Sequence, residues 1–537
     1  MLTKKRFMNT RKEQALLCLS ILALALTATA QNSMNVELFA QYNRGDGRAS
    51  GSWPYVAPDG TEYAVLGAQT GTSIIKIDNP DDIREVGFIP GYNSNWREVT
   101  VVGDHAYVVT EGSGAPHYGM QVIDLSQLPD TAFLLTDYSE TFGRGHIIQK
   151  DIFNEEPFVY VCGTQTTSGV HIIDVSSPSN PVQTGLYQPG YYIHDCHVRD
   201  TLLFAAAFYN GTIDIVSIAD KSNPRLIASI DDPGGNTHSF STTDQLDYLF
   251  VADEQDGLPG RIFNIEALDN PREVATWTAN ATSLVHNPYI RGDFAFISHN
   301  TEGLRVLDIA DPAVPVEVGY YDTYSGPSGG FHGLWSACPY LPSGRIIGGN
   351  REDGLYVWSF NNTRAGRFYG QVVDSLSGAP IFNAAVQVDE TQELFTSDMQ
   401  GEFKGGYLPG TYNLQVFANG YPVKTVSIIL TEGSQEQLVI ELAPEVNSTE
   451  DFGQEAPSIE LAPNPFGEHT TVRLKNKLQA HLAVLLNAGG QEVERYTVQG
   501  LSAFDIERRS KAAGLYWLVV YGEDGKVIGS EQVVIGK

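Results

Sequence analysis

One short phrase recurs seven times through the middle of this chain, and few folds can accommodate it. The copies read Thr72-SIIKIDNPDDIREVG, Gly119-MQVIDLSQLPD, Gly169-VHIIDVSSPSNPVQTG, Gly211-TIDIVSIADKSNPRLIAS, Gly260-RIFNIEALDNPREVAT, Gly303-LRVLDIADPAVPVEVG and a truncated Gly354-LYVWSF. Each is an alternating apolar strand, an Asp- or Asn-rich turn closed in most copies by proline, and a second apolar strand. From Gly119 onward the opening glycines lie 50, 42, 49, 43 and 51 residues apart, the length of a four-stranded propeller blade. The repeat predicts an all-β chain that begins with a seven-bladed propeller.

Upstream of each copy lie two more strand-like runs, such as Trp96-REVTVV with His105-AYVVTE, joined by Gly-Asp or Arg-Asp turns. The seventh copy stops at Phe360 without a following strand. Val36-ELFAQYN stands alone before the first blade and has the pattern of Val316-EVGYYDT, so it is expected to complete the seventh blade and close the ring.

Residues 1–30 read as a signal peptide: a basic start, an apolar run from Ala15 to Leu26 too short to span a membrane, and Ala28-Thr-Ala30 for cleavage. Removing them takes the net charge from −30 to −34, and so acidic a chain repels nucleic acid and anionic lipid. No other stretch reaches membrane-spanning length. Cys162, Cys196 and Cys338 are an odd number without CxxC spacing, which excludes a disulfide framework. Cys162 and Cys196 fall in strand-like runs as small buried apolar residues.

The repeat ends near residue 362. Residues 365–444 read as short strands broken by turns and resemble the carboxypeptidase regulatory-like module, a transthyretin-type β-sandwich. Thr396, Asp398, Gly401, Phe403, Pro409-Gly-Thr-Tyr412 and Gly420-Tyr421 carry the likeness, as scaffolding with Tyr412 plugging the core. Residues 445–457 are polar and acidic, as a linker is. Residues 458–537 are expected to form a second small sandwich. Pro463-Asn-Pro-Phe466, Ala488-Gly-Gly490 and Gly514-Leu-Tyr516 resemble the type A sorting domain of the type IX secretion system of Bacteroidota. That resemblance implies export through the outer membrane, with the type IX machinery as partner, to the cell surface or the medium.

The blades resemble LVIVD repeats, and residues 53–360 resemble the choice-of-anchor B family of exported proteins. Trp53-PYVAPDG, Trp96-Arg-Glu98, His194-Asp195, His286-Asn287, Trp335-Ser336 and Pro342-Ser-Gly344 carry the likeness. His238-Ser239 and Trp53-Pro54 depart from the family pattern. The family implies a propeller and an extracellular location, and no settled activity.

His146, His194, His238 and His286 begin the first strands of consecutive blades and so repeat around one mouth of the central channel. Imidazoles grouped in this way suit a transition metal, with Cys196 on the face of His194 and His197 turned away. Trp96, Arg97 and Glu98 hold the corresponding place in the preceding blade, and His332 and Trp335 in the last; these are the candidate ligand-binding residues, with Glu98 also a candidate base. The competing reading is structural, since a histidine at this loop-to-strand entry can hydrogen-bond within its own blade. Asp253, Glu254 and Asp256 suggest calcium only weakly, lacking the twelve-residue EF-hand pattern. Gly326-Pro-Ser328-Gly-Gly330 matches the serine-hydrolase motif by letter but not by context. The leading expectation is a monomeric, surface-displayed binding protein for a glycan, peptide or matrix ligand. The alternatives are a metal-dependent lyase or oxidoreductase and, more weakly, a structural surface-layer role.

Overall fold

The computed structural model describes residues 32–444 and 459–536 apart from 46, 113, 115–117, 476–479, 488–489, 524 and 526. The expected signal peptide, the whole of the linker and most of the Ala488-Gly-Gly490 turn lie outside the described residues. The chain divides into two compact units between Thr363 and Arg364. No helix among the described residues is long and apolar enough to cross a membrane.

The first unit is a ring of seven antiparallel sheets. The first strands of blades one to six are Ala49–Val56, Arg97–Val102, Ile147–Gln149, Cys196–Arg199, Thr237–Thr242 and Asn287–Arg291. They touch one another from blade to blade and surround the central channel. The core lies between neighbouring blades: Tyr107, Val109 and Val122 of the second pack on Val159, Val161 and Ile173 of the third.

The repeated phrase explains itself locally. Asp124, Asp174 and Asp308 each accept the backbone N–H two residues on, at 2.8, 2.8 and 3.0 Å, and so form the turn between third and fourth strands. In each of the first six blades these two strands slip register at a β-bulge, as between Ile172 and Ile173 or Val306 and Leu307, which adds twist to the blade. Gly119, Gly303 and Gly354 open their copies at φ +63°, +73° and +82°, where a side chain is strained.

Val36–Tyr42 pairs antiparallel with Gly354–Phe360, from Val36 opposite Phe360 to Tyr42 opposite Leu355. Ser33–Met34 adds a fifth strand to blade six, opposite Tyr321 and Tyr320. The innermost segment of blade seven is irregular, held to Ile346–Asn350 by single bridges at Leu334 and Cys338.

The second unit contains two small sandwiches. In the first, Gly366–Asp374 pairs parallel with Gln435–Leu442, and a four-stranded sheet covers the core of Phe368, Val386 and Leu414. Gly401 and Gly420 take φ of +74° and +84°, as turns there require. Tyr412 is half-buried at the core's edge, stacked on Tyr407 at 4.8 Å with its hydroxyl on the Leu408 carbonyl, rather than plugging the centre. The last sandwich closes around Phe466, Val472, Leu485 and Leu518.

Candidate metal centre at the channel mouth

The four histidines stand where the first strands of blades three to six begin. The backbone N–H groups of His146, His194 and His286 bond to Cys162, Ala206 and Ser298 of their own blades, which leaves the side chains free to leave the sheet. His238 is the extra residue of a bulge between Thr237 and Ser239, a device that re-aims a side chain. The rings follow one another around the mouth. Centroids of His146 and His194 are 4.5 Å apart, those of His194 and His238 4.5 Å, and those of His238 and His286 4.3 Å. Trp335 continues the arc 4.4 Å from His286, and Trp96 lies 6.1 Å beyond it.

Four imidazoles in file around a curve do not converge on one point, and their nitrogens have different fates. One nitrogen each of His194 and His238 and a carboxylate oxygen of Glu254 all lie within 4.8 Å of one another. His238 Nδ1 faces the His286 carbonyl at 3.3 Å and therefore donates, which leaves a lone pair on Nε2; that atom is buried without a partner. His194 Nδ1 is likewise unpartnered, and its Nε2 lies 3.7 Å from Glu254. His286 Nδ1 accepts from the Asn287 amide at 2.9 Å, so its buried Nε2 carries a proton. His146 Nδ1 lies 3.0 Å from Glu111 as an ion pair without hydrogen-bond alignment.

The electrostatics follow this division. Burial and the neighbouring histidines hold His194 and His238 well below their ordinary pKa, so both are neutral with lone pairs available. Burial takes His286 down to about 3. Burial also opposes charge on His146, but Glu111, Glu98 and Glu254 outweigh it and raise that imidazole. Desolvation raises Glu254 to about 7 against the pull of His146.

The donors suit a transition metal. Two neutral imidazoles and a carboxylate are a borderline nitrogen and oxygen set, and bond lengths of ~2.0–2.2 Å would require these atoms to draw together around the ion. Calcium, which prefers oxygen throughout, does not fit them. Nor do the three acids of the calcium candidate meet. Asp253 is buried near Asp232 and Arg261, Glu254 faces His194, and Asp256 accepts the Gly330 N–H.

Other sequence-based candidates change role. Trp96, Trp335 and Glu98 stand together at the end of the histidine arc, and Glu98 accepts the Trp335 indole N–H at 2.7 Å. Desolvation raises Glu98 to about 7, with the indole bond opposing; it is half-buried, touched by the lumen yet enclosed by protein. Arg97 is not a lining residue. Successive strand residues point to opposite faces, so it turns away from Glu98, is buried, and donates to the carbonyls of Ala68 at 3.0 Å and Tyr92 at 2.6 Å. His332 also lies off the arc, stacked on Tyr324 at 5.2 Å and paired with Glu352 at 2.8 Å, and Phe331 touches His286 instead. Cys196 joins Cys162 in the core between blades three and four, and His197 bonds Thr242 at 2.9 Å. Ser328 donates at 2.7 Å to Glu302, in the turn before Leu304–Asp308.

Sequence reasoning missed Glu254 as a partner of the histidines, along with Glu111, Phe208 and Arg351. All four immediately follow the second strand of a blade, which runs back to the mouth where the first strand starts. Phe208 stacks on His194 at 5.0 Å, and Arg351 lies 5.2 Å from the rings of both Trp96 and Trp335. Aligning the blades on that column would have found them. At the same place in blade three stands Gly163, where a Cβ would meet His146 Cβ at 2.3 Å.

Comparison with known proteins agrees with the blades and the first sandwich. The LVIVD repeat matches residues 150–188 and 287–323, and the carboxypeptidase regulatory-like domain matches residues 367–443. Human carboxypeptidase D is 34% identical over 80 residues, a match that spans 15% of this chain and 6% of that protein. Among solved structures, the periplasmic gluconolactonase PpgL of Pseudomonas aeruginosa is similar at 11% identity and a TM-score of 0.43, over 55% of this chain and 98% of that one. The chain is a β-propeller protein with LVIVD repeats, followed by a regulatory-like sandwich and a second small sandwich.

Proposed function

We propose that this is an exported, surface-displayed propeller that binds an extracellular ligand through a transition-metal ion held by His194, His238 and Glu254. The observation that carries this reading is the approach of one nitrogen each of His194 and His238 to a Glu254 carboxylate oxygen, all within 4.8 Å, in a cluster where His238 Nε2 and His194 Nδ1 are buried without a partner. Buried polar atoms are nearly always satisfied, and a metal ion satisfies these. Phe208 and Phe331 around the site offer flat apolar faces to a glycan or peptide, with the buried Trp335 behind them. The charge and the expected signal peptide support export. The PNPF opening of the last sandwich supports delivery by a type IX machinery, and the choice-of-anchor B likeness of residues 53–360 agrees with an extracellular place of work.

A second reading is a metal-dependent lyase or oxidoreductase. Glu98, raised to about 7 on the same lumen, suits a general base working near neutral pH. Elemental analysis of the purified full chain tests the shared premise. Near-stoichiometric transition metal is expected, lost on replacing His194 and His238 together by alanine with the fold intact. Metal-free protein with both imidazoles present after incubation with zinc, manganese or iron would refute it.

A further inference from the structure

The first strands carry a second set of groups at their other ends. Where His146 and His286 open blades three and six, Lys150 and Arg291 stand at the far ends of the same strands, roughly 15 Å away at ~3.3 Å per residue. With Trp53, Tyr340, Asn154 and Leu341 they line a cavity of about 750 Å³. That volume is in the range of small-molecule sites.

The cations here stand without a carboxylate partner. The chain has 64 acidic and 34 basic residues, and several half-buried cations have found a carboxylate: Lys76 has Asp82, Arg261 has Glu273, Arg305 has Glu317 and Arg345 has Glu62. Among the described residues neither Lys150 nor Arg291 has a carboxylate within 4.0 Å. Lys150 Nζ sits 5.9 Å from the Trp53 ring centroid, and burial pulls its ammonium pKa down despite Glu155 and Asp151 nearby. Arg291 uses Nη1 on the carbonyls of Pro339 and Gly344, at 2.5 and 3.4 Å, which fixes the guanidinium without neutralising it. Of the acids on the rim, Glu156 is taken by Lys221 at 2.6 Å and Glu155 is exposed to water. The Trp53 and Tyr340 rings, 5.9 Å apart and inclined at 47°, form two walls beside this charge.

We infer that this second mouth binds a small organic anion, its carboxylate meeting Lys150 and Arg291 and an apolar ring face lying against Trp53 and Tyr340. Desolvated cations without a protein counter-ion gain most from an incoming carboxylate, and flat aromatic walls accept the apolar face of a sugar or an aromatic ring. A uronic acid and an aromatic acid both present that chemistry. The site shares no residue with the metal centre and does not depend on it.

Titration calorimetry of the full chain at low salt, with glucuronate, benzoate and glucose as probes, tests this. One or both anions should bind, glucose should not, and whichever anion binds identifies the source. Lys150→Met should weaken binding by at least about tenfold, while the His194→Ala/His238→Ala double variant should leave it unchanged. Absence of heat with either anion up to about 10 mM, equal binding of glucose, or an unaltered affinity in folded Lys150→Met would overturn the inference. The contrast between glucuronate or benzoate and glucose uses the native chain, so it holds even if Lys150→Met does not fold.

Discussion

Trp335 donates its indole N–H to Glu98 at 2.7 Å, across 237 residues of sequence, and so joins blade seven to blade two over the top of blade one. Blade one permits this because it places Gly51 beneath the bond. A Cβ there would stand 2.2 Å from Glu98 Oε2 and 2.9 Å from the Arg97 carbonyl. Gly51→Ala should therefore displace the carboxylate from the indole and cost about 1–3 kcal/mol. Loss of the downfield Trp335 Nε1–H resonance, together with a lower urea midpoint, checks it; Trp335→Phe should reproduce the stability loss.

Glu98 also makes stability depend on pH. Its carboxyl is raised from 4.5 to about 7, so the folded state holds a proton that the unfolded chain releases. The sign follows: its contribution is fully present below pH 4.5 and is lost as pH rises through about 7. In chelator-treated protein Glu98→Gln should thus stabilise at pH 8 relative to pH 5, by at most about 3 kcal/mol. A variant-minus-native difference that is flat with pH would show that the carboxyl titrates normally.

Much of this fold can be read from sequence because a propeller repeats its physics. The glycine and the apolar alternation recur with each blade, a turn aspartate or asparagine recurs in most of them, and the solitary Val36 strand matches the vacancy after Phe360. Ser33–Met34 is too short to carry a period, and the inner segment of blade seven lacks regular pairing, so neither is visible there. For the site, equal spacing placed the histidines at one mouth but could not say which nitrogens converge, since that depends on ring curvature and on partners such as Asn287. Reading Trp96, Arg97 and Glu98 as one lining group ignored strand alternation, which sends Arg97 the other way.

That placement of Arg97 makes its own prediction. The guanidinium holds two carbonyls in a buried position, and Gly91 leaves room for it, with a Cβ there only 2.5 Å from Nη1. Arg97→Met should cost about 2–4 kcal/mol by leaving those carbonyls unsatisfied, with no change in bound metal per chain. Metal loss from a still-folded Arg97→Met protein would return the residue to the site.

Ring closure should dominate resistance to unfolding. Val36–Tyr42 covers the outer edge of Gly354–Phe360, and Phe360 packs against Phe294 at 5.2 Å and Phe296 at 6.1 Å in the neighbouring blade. Phe360→Ala should cost about 3–5 kcal/mol. Deleting residues 32–42 should do more, because it also exposes an unpaired strand edge that promotes aggregation. Urea unfolding and light scattering measure the two effects; a deletion variant as stable and monodisperse as the full chain would contradict closure by this strand.

Export gives the last prediction. Residues 459–536 enclose their own core around Phe466, Leu485 and Leu518, so removing them takes out one sandwich and none of the strands that build the propeller. If this sandwich is the sorting signal proposed above, a chain lacking residues 459–537 should cross the inner membrane and stop in the periplasm of its own host, folded and with its metal centre complete. Fractionation with an antibody to the propeller reads the outcome. The two functions of the chain are then separable in one experiment: metal content reports on the channel mouth, and location reports on the tail. Appearance of the truncated protein outside the cell at the native level would remove the sorting role and leave the propeller reading standing.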